Sequence, residues 1–290
     1  MDNQAEGLHR ISRSRPVKVI AVCSGKGGVG KTNVATNLAV GLSAISKKKV
    51  CLLDADVSLA NVDVLLGLQP AWNLAHVVNG EVSLEDAMLS GPQGLRIIPA
   101  SSGNFDMSDL DARGQAALVN AFSSLQQQPD ILIVDTAAGI SPLVARFVQA
   151  AQHPLVVVRD EPASLTDAYA LIKVFSRNYG MNRFHIVTNQ SGDAHAGRRL
   201  FGKLAKVTDT YLDVVLKHTG DVPQDSYLVK AVQQQRAVVD AYPKSPSGQA
   251  FLRLAGRIDA MPSVTEAHGG LQFFMERLVL ADTAYRGKVA

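Results

Sequence analysis

Eight consecutive residues, Gly25-Lys26-Gly27-Gly28-Val29-Gly30-Lys31-Thr32, hold the densest concentration of functional chemistry in the chain. The spacing of Gly25, Gly30, Lys31 and Thr32 is that of a phosphate-binding loop. Its glycines let successive backbone N–H groups turn toward an anion, and the N-terminus of a following helix adds positive potential. Lys31 is then placed to reach the β and γ phosphates of a nucleotide, Thr32 to ligate Mg2+, and Asn33 to extend the binding set by one residue. A plain glycine turn would need neither the lysine nor the threonine. Lys26 is surplus to this scheme, because an ordinary phosphate loop requires no lysine so near its start.

Two other stretches end in carboxylates. The run Val50 to Asp54 is apolar until Asp54, and Ala55 and Asp56 follow it. The run Ile131 to Asp135 behaves alike, closing on Asp135 in the manner of a Walker B strand and entering Thr136-Ala137-Ala138-Gly139. Carboxylates at the ends of buried strands point into a phosphate site, where one can position an attacking water and another can hold magnesium through water. Of Asp54 and Asp56, one can position the water and the other support the loop and the metal shell, while Asp135 can hold the metal. Gly139 gives the backbone freedom to respond to a γ phosphate. At the end of Phe184 to Asn189, the amide of Asn189 can both donate to and accept from adenine. Pro223 and Asp225 lie in the loop Gly220 to Asp225 that follows. With the phosphate loop, these residues favour ATP.

Such residues must be carried by short buried strands. Val17 to Cys23, Val50 to Asp54, Ile131 to Asp135, Leu155 to Arg159 and Phe184 to Asn189 are rich in Val and Ile and lack polar alternation, as parallel strands covered on both faces do. Leu95 to Pro99 is a sixth candidate. Helical patterns over Lys31 to Ile45, Asp109 to Leu125, Ser141 to Gln152, Leu165 to Tyr179 and Ser247 to Ile258 connect them. The alternation predicts an α/β fold: a doubly wound, mainly parallel sheet with helices on both faces and ligands at the carboxyl ends of its strands.

Composition excludes several classes. Of 290 residues, 47% are hydrophobic and 19% charged, enough for a sizeable core and unlike a disordered tail. No apolar run approaches the roughly 20 residues that span a bilayer. The opening MDNQAEGLHR lacks the apolar core of an export signal, so a cytoplasmic location is expected. Cys23 and Cys51 both lie inside apolar runs, which suits reduced thiols and supplies too few ligands for a cluster or structural zinc within one chain. A net charge of +3 neither demands nor excludes nucleic acid.

The wording KGGVGKT resembles the deviant Walker motif of the MinD, ParA and nitrogenase iron protein superfamily. The resemblance implies that Lys26 reaches the nucleotide of a facing subunit, so that two copies close on ATP. It also implies that Asp56, as the second aspartate of switch I, positions the attacking water, with Asn61 and Asp63 in the same switch, and that Asn189 and the loop Gly220 to Asp225, with Pro223 and Asp225, flank the base. The proline common in switch II is absent, since Ala137 and Ala138 stand there. Lys31 to Val34, Asp54 to Leu68, Leu165 to Lys173 and the late GGLQFFMERL segment resemble the flagellar number regulators of the FleN/FlhG family over nearly the whole chain. That resemblance implies a slow, dimer-dependent ATPase that regulates flagellar number and restrains the enhancer-binding activator of flagellar genes. It would act with the FlhF GTPase near the pole, at the inner face of the cell membrane. A ParA-like partition ATPase and a MinD-like division-site regulator share the same motifs and stand as alternatives.

The division expected is an activator helix and linker at 1–16, the ATPase at 17–262 and an amphipathic helix with tail at 263–290. Asn3 to His9 matches the family's activating pattern Asp-Gln-Ala-x-x-Leu-Arg at Gln4, Ala5 and Leu8, and departs from it at Asn3 and His9. Gln4 and Leu8 share a helical face suited to docking the partner GTPase. Leu271, Phe274, Met275 and Leu278 form an apolar stripe fitted either to weak membrane contact or to the protein's own core. Arg198, Arg199, Lys203 and Lys206 read as a solvated face with Asp209 and Asp213 close behind, so direct DNA binding is not expected.

Overall fold

In the computed structural model, residues 16–56, 61–100, 110–262, 271 and 273–278 are described. Eight strands form one sheet: β1 (Lys18–Cys23), β2 (Val50–Ala55), β3 (Leu89–Ser90), β4 (Arg96–Ile98), β5 (Ile131–Thr136), β6 (His153–Arg159), β7 (Arg183–Ser191) and β8 (Val215–Pro223). Their spatial order is β3-β4-β2-β5-β1-β6-β7-β8. Every neighbouring pair is parallel except β3 with β4. The doubly wound sheet expected from the apolar runs is therefore present. Strands β3 and β8 are additions. β8 lies at the sheet edge, with exposed Val215 and Lys217 between more buried positions, and so shows alternation instead of an apolar run.

The helices α1 (Lys31–Ile45), α2 (Val62–Leu66), α3 (Leu74–Val78), α4 (Leu84–Ala87), α5 (Ala112–Ser123), α6 (Pro142–Ala150), α7 (Pro162–Tyr179), α8 (Ala194–Tyr211), α9 (Ser226–Gln233), α10 (Val238–Ala241) and α11 (Pro246–Asp259) cover both faces. The period of two along β1 divides them. Val19, Ala21 and Cys23 join a core with Phe122, Phe147, Phe175 and Leu204, whereas Ile20 and Val22 face Leu38, Leu42, Phe251 and Leu254. Helix starts differ from the periodic pattern by a few residues because caps decide them. Ser141 and Ser245 accept from the N–H groups of Val144 and Gly248, so α6 and α11 begin at the prolines that follow.

Leu271, Phe274, Met275 and Leu278 are buried in the first of these cores. Arg277 donates to the Gln149 carbonyl at 2.9 Å. The stripe thus packs on the protein, and its apolar face is covered. The expectations for Gln4 and Leu8 lie outside the described residues. No helix among the described residues is long and apolar enough to cross a membrane.

At the opposite end of the sheet from the glycine loop, His153 and His185 meet edge to face with ring centroids 5.4 Å apart. His185 also pairs with the Thr219 hydroxyl at 3.1 Å. Burial, then the His153 and Lys217 charges, pushes His185 down to about 4. The unfolded chain therefore binds more protons between about pH 4 and the ordinary value near 6.5, and folding stability is full above that window and falls as pH drops through it. Partial exposure of the ring discounts the effect to about 1–2 kcal/mol at pH 5. His185→Gln is expected to flatten the melting temperature against pH between 7 and 5. An unchanged slope would remove His185 from the titration.

Candidate functional site

The glycine loop leaves β1 at Cys23 and enters α1 at Lys31. Gly28 (φ +79°) and Gly30 (φ +82°) lie in the left-handed region that favours glycine, and Gly30 is the N-cap of α1, with no side chain capping the first turn. A Cβ at Gly30 would come 2.4 Å from Asn189 Nδ2, and one at Gly25 only 2.2 Å from the Asp167 carbonyl oxygen, whereas Gly27 and Gly28 face open space. The loop is clamped at its ends by β7 and α7 and open at its centre, where an anion can approach the backbone. Val29 is buried beneath it.

Below the loop, Lys31 Nζ pairs with Asp135 Oδ1 at 2.8 Å, with side-chain exposures of 7% and 1%. The other oxygen, Asp135 Oδ2, is buried and has no hydrogen-bond partner. Burial pushes the Asp135 carboxyl up, Lys31 and Thr32 pull it down, and the charge of Asp56 pushes it up again. A divalent cation suits this carboxylate, because its unsatisfied oxygen lies in a site shared with Thr32 and Asp56.

Asp54 sits opposite Asp135 in the β2–β5 register. Its Oδ1 accepts from the Asp56 N–H at 3.1 Å, and its Oδ2 accepts from the Asn61 and Val62 N–H groups, each at 3.2 Å. Burial and the Asp135 charge push its carboxyl up to about 7, against those three bonds. The side chain joins Asp56, directly after β2, to Asn61 and Val62 at the start of α2. Within α2, the Asp63 carboxylate accepts from the Val64 N–H at 2.8 Å. Gly139 has φ +90°, and its N–H donates to the Ser24 carbonyl at 2.9 Å, joining the segment after β5 to the phosphate loop.

On the base side, Asn189 is 1% exposed. Its Nδ2 donates to the Val29 carbonyl at 2.8 Å, and its Oδ1 is buried without a partner. Pro223 closes β8. Asp225 accepts from the Tyr227 N–H at 2.9 Å and from the Ser247 N–H and hydroxyl at 2.9 and 2.6 Å. It therefore caps α9 and ties it to α11. Its carboxylate thus positions two helix starts.

The ParA family, described as "NUBPL iron-transfer P-loop NTPase", matches residues 16–259. Antiactivator FleN of Pseudomonas aeruginosa is 50% identical over 272 residues, covering 94% of this chain and 97% of that protein. The chain is a FleN relative within the ParA/MinD family of P-loop NTPases. The flagellum site-determining protein YlxH of Helicobacter pylori is 30% identical over 96% of this chain and 99% of its own length. Among solved structures, the MinC:MinD cell division protein complex of Aquifex aeolicus matches with TM-score 0.67 and 26% identity, over 85% of this chain and 97% of that one.

Membership of this ATP-binding family accounts for the clamped glycine loop and the two acidic strand ends. The iron in the family description finds no obvious handle in the cysteines. Cys23 and Cys51 are buried in β1 and β2, with thiols pushed up to about 12 by burial. Sequence reasoning missed one residue beside the loop. Lys26 Nζ lies 3.3 Å from Glu161 Oε2, and Arg159 Nη1 lies 3.2 Å from Glu161 Oε1. Its signal was available, since Glu161 follows the fourth apolar run and precedes a helix-starting proline.

Proposed function

We propose that this protein is an ATP-driven dimerisation switch that regulates flagellar number. The observation that carries the reading is the division of labour between two lysines of one loop. Lys31 is buried against Asp135, committed to the site of its own chain, whereas Lys26 stands a third exposed at the loop's mouth. A nucleotide in the loop would meet backbone N–H groups from Gly27 to Thr32, with Lys31 moving from Asp135 to the phosphates and Asn33 nearby. Asn189 and Pro223 would border the base, with the orphan Oδ1 of Asn189 aimed at an exocyclic amine. Mg2+, held by Thr32 and through water by Asp135 and Asp54, would offset charge on the β and γ oxygens. Asp56 positions the attacking water, while Asn61, Asp63 and Gly139 move with the switch. Lys26 reaches across to the nucleotide of a second copy, and hydrolysis releases the pair.

The flagellar role rests on the 50% identity to an antiactivator over 94% of the chain, with a flagellum site-determining relative in support. In this reading the dimer restrains the enhancer-binding activator of flagellar genes, and the N-terminal segment with Gln4 and Leu8 serves the FlhF GTPase. Membrane contact near the pole would require the stripe at 271–278 to leave the core that now covers it. Size measurement with ATP, ADP and no nucleotide, followed by capture of the activator, tests the whole. Lys26→Ala is expected to bind nucleotide with unchanged affinity as a monomer and to lose ATP-dependent dimerisation at least about tenfold, the loss of one charge-assisted contact per subunit. Dimerisation equal to that of the wild type would overturn the role in trans.

A further inference from the structure

Glu161 is the N-cap residue of α7, with extended backbone (φ −137°, ψ 140°), yet its side chain makes no capping bond. Its carboxylate turns instead toward the glycine loop and takes two cations, Lys26 on Oε2 at 3.3 Å and Arg159 on Oε1 at 3.2 Å. The turn that brings them together is tight. The Glu161 N–H donates to the Arg159 carbonyl at 2.8 Å, and the Arg159 N–H donates to the Ser164 hydroxyl at 3.0 Å, fixing the end of β6 against the first turn of α7. That helix also touches the loop directly, because a Cβ at Gly25 would lie 2.2 Å from the Asp167 carbonyl oxygen and 2.8 Å from the Ala168 nitrogen. The start of the loop and the start of α7 are thus held as one unit, with Glu161 facing Lys26.

We propose that Glu161 is a restraint in cis on Lys26, holding the lysine to its own chain until the triphosphate of a facing subunit outcompetes the carboxylate. Lys26 carries one charge on a flexible stem, and drawing its ammonium toward a phosphate across the dimer lengthens the 3.3 Å contact with Glu161, so the contact kept in the separated chain opposes the one made across the dimer. Nucleoside triphosphate carries more charge than diphosphate. The restraint therefore makes dimerisation selective for the triphosphate, because a weaker anionic partner fails to draw Lys26 away. Arg159 sets the strength of the hold. By sharing the carboxylate it weakens the pull on Lys26 and leaves Glu161 paired once the lysine departs. This rests on the reading of Lys26 as a residue that acts across the dimer. Glu161 is a positioning residue, acting on the nucleotide of the second subunit only through Lys26.

The test uses the full chain with Mg2+ and a non-hydrolysable ATP analogue, following dimerisation by sedimentation velocity. Glu161→Gln keeps the shape and removes the charge. Its dimerisation midpoint is expected to fall by about 3- to 10-fold in analogue concentration, the range for a partly exposed ion pair counted once in each subunit. Affinity for ADP in the monomer should stay unchanged, and ADP should begin to support dimers. Arg159→Gln should move the midpoint the other way, because Glu161 then serves Lys26 alone. A merely structural role would move both variants in one direction. An unchanged or raised midpoint in Glu161→Gln overturns the restraint, as does a lowered midpoint in Arg159→Gln, which decides the matter should the first variant fold poorly. Lys26→Ala separates the two levels. Normal dimerisation in Lys26→Ala overturns the trans reading itself, whereas lost dimerisation beside an unresponsive Glu161→Gln overturns the restraint alone.

Discussion

Lys31→Ala is expected to abolish ATP binding, weakening nucleotide affinity by at least about 100-fold, as removing one member of a desolvated charge pair does. Two effects add. The phosphates lose the ammonium that would meet them, and Asp135 loses the cation that now sits 2.8 Å from its Oδ1. Asp135 is 1% exposed and already has one oxygen without a partner, so its unbalanced carboxylate faces the incoming phosphates. Lys31→Arg should not restore binding, since a planar guanidinium fork does not reproduce the compact point-charge contact that the buried ammonium makes with Asp135 at 2.8 Å. Titration calorimetry with ATP and Mg2+ reads the effect, and the melting temperature without nucleotide reports any loss of fold. Wild-type affinity in a folded Lys31→Ala variant would sink the assignment of the loop.

The parts of the site carried by local sequence were legible, and the parts assembled by distant contacts were not. A phosphate loop is eight contiguous residues, and Asp54 and Asp135 end uninterrupted apolar runs, so Gly25 to Thr32 and both carboxylates could be proposed from spacing, whereas the choice of Asp56 drew on the family resemblance. Five central strands were equally plain because both of their faces are buried. β8 was hidden because an edge strand carries polar residues at alternate positions, and α8 was read only for its charge. Lys18 shows the limit most clearly. It opens β1 in what reads as an ordinary strand border, yet it is 2% exposed and its ammonium donates to the carbonyls of Ile258, Asp259 and Met261, capping the C-terminus of α11 some 240 residues away. The tie from Asp225 to Ser247 on α11 was hidden for a related reason, since 22 residues separate the two in sequence.

Asp56→Ala should separate binding from turnover. Asp56 follows β2 directly, its N–H is held by Asp54 Oδ1 at 3.1 Å, and its charge is felt by Asp135 on the neighbouring strand. These observations put its charge beside Asp135 at the acidic end of the site, where it can orient a water. Truncation removes one like charge from beside Asp135, which favours the ionised form of that carboxylate and so preserves metal affinity. The backbone bond from residue 56 to Asp54 survives, because alanine keeps its N–H. ATP and Mg2+ should therefore bind at near wild-type strength, while hydrolysis slows by about 100- to 10,000-fold, the usual contribution of a positioned acid–base group. In the proposed cycle release of the dimer follows hydrolysis, so the variant should accumulate as an ATP-loaded dimer that persists after excess nucleotide is removed. Phosphate release and sedimentation on the same sample report the two halves of this result. If hydrolysis and binding are lost together, Asp56 belongs to the metal shell, and the water must be positioned by another residue of the switch.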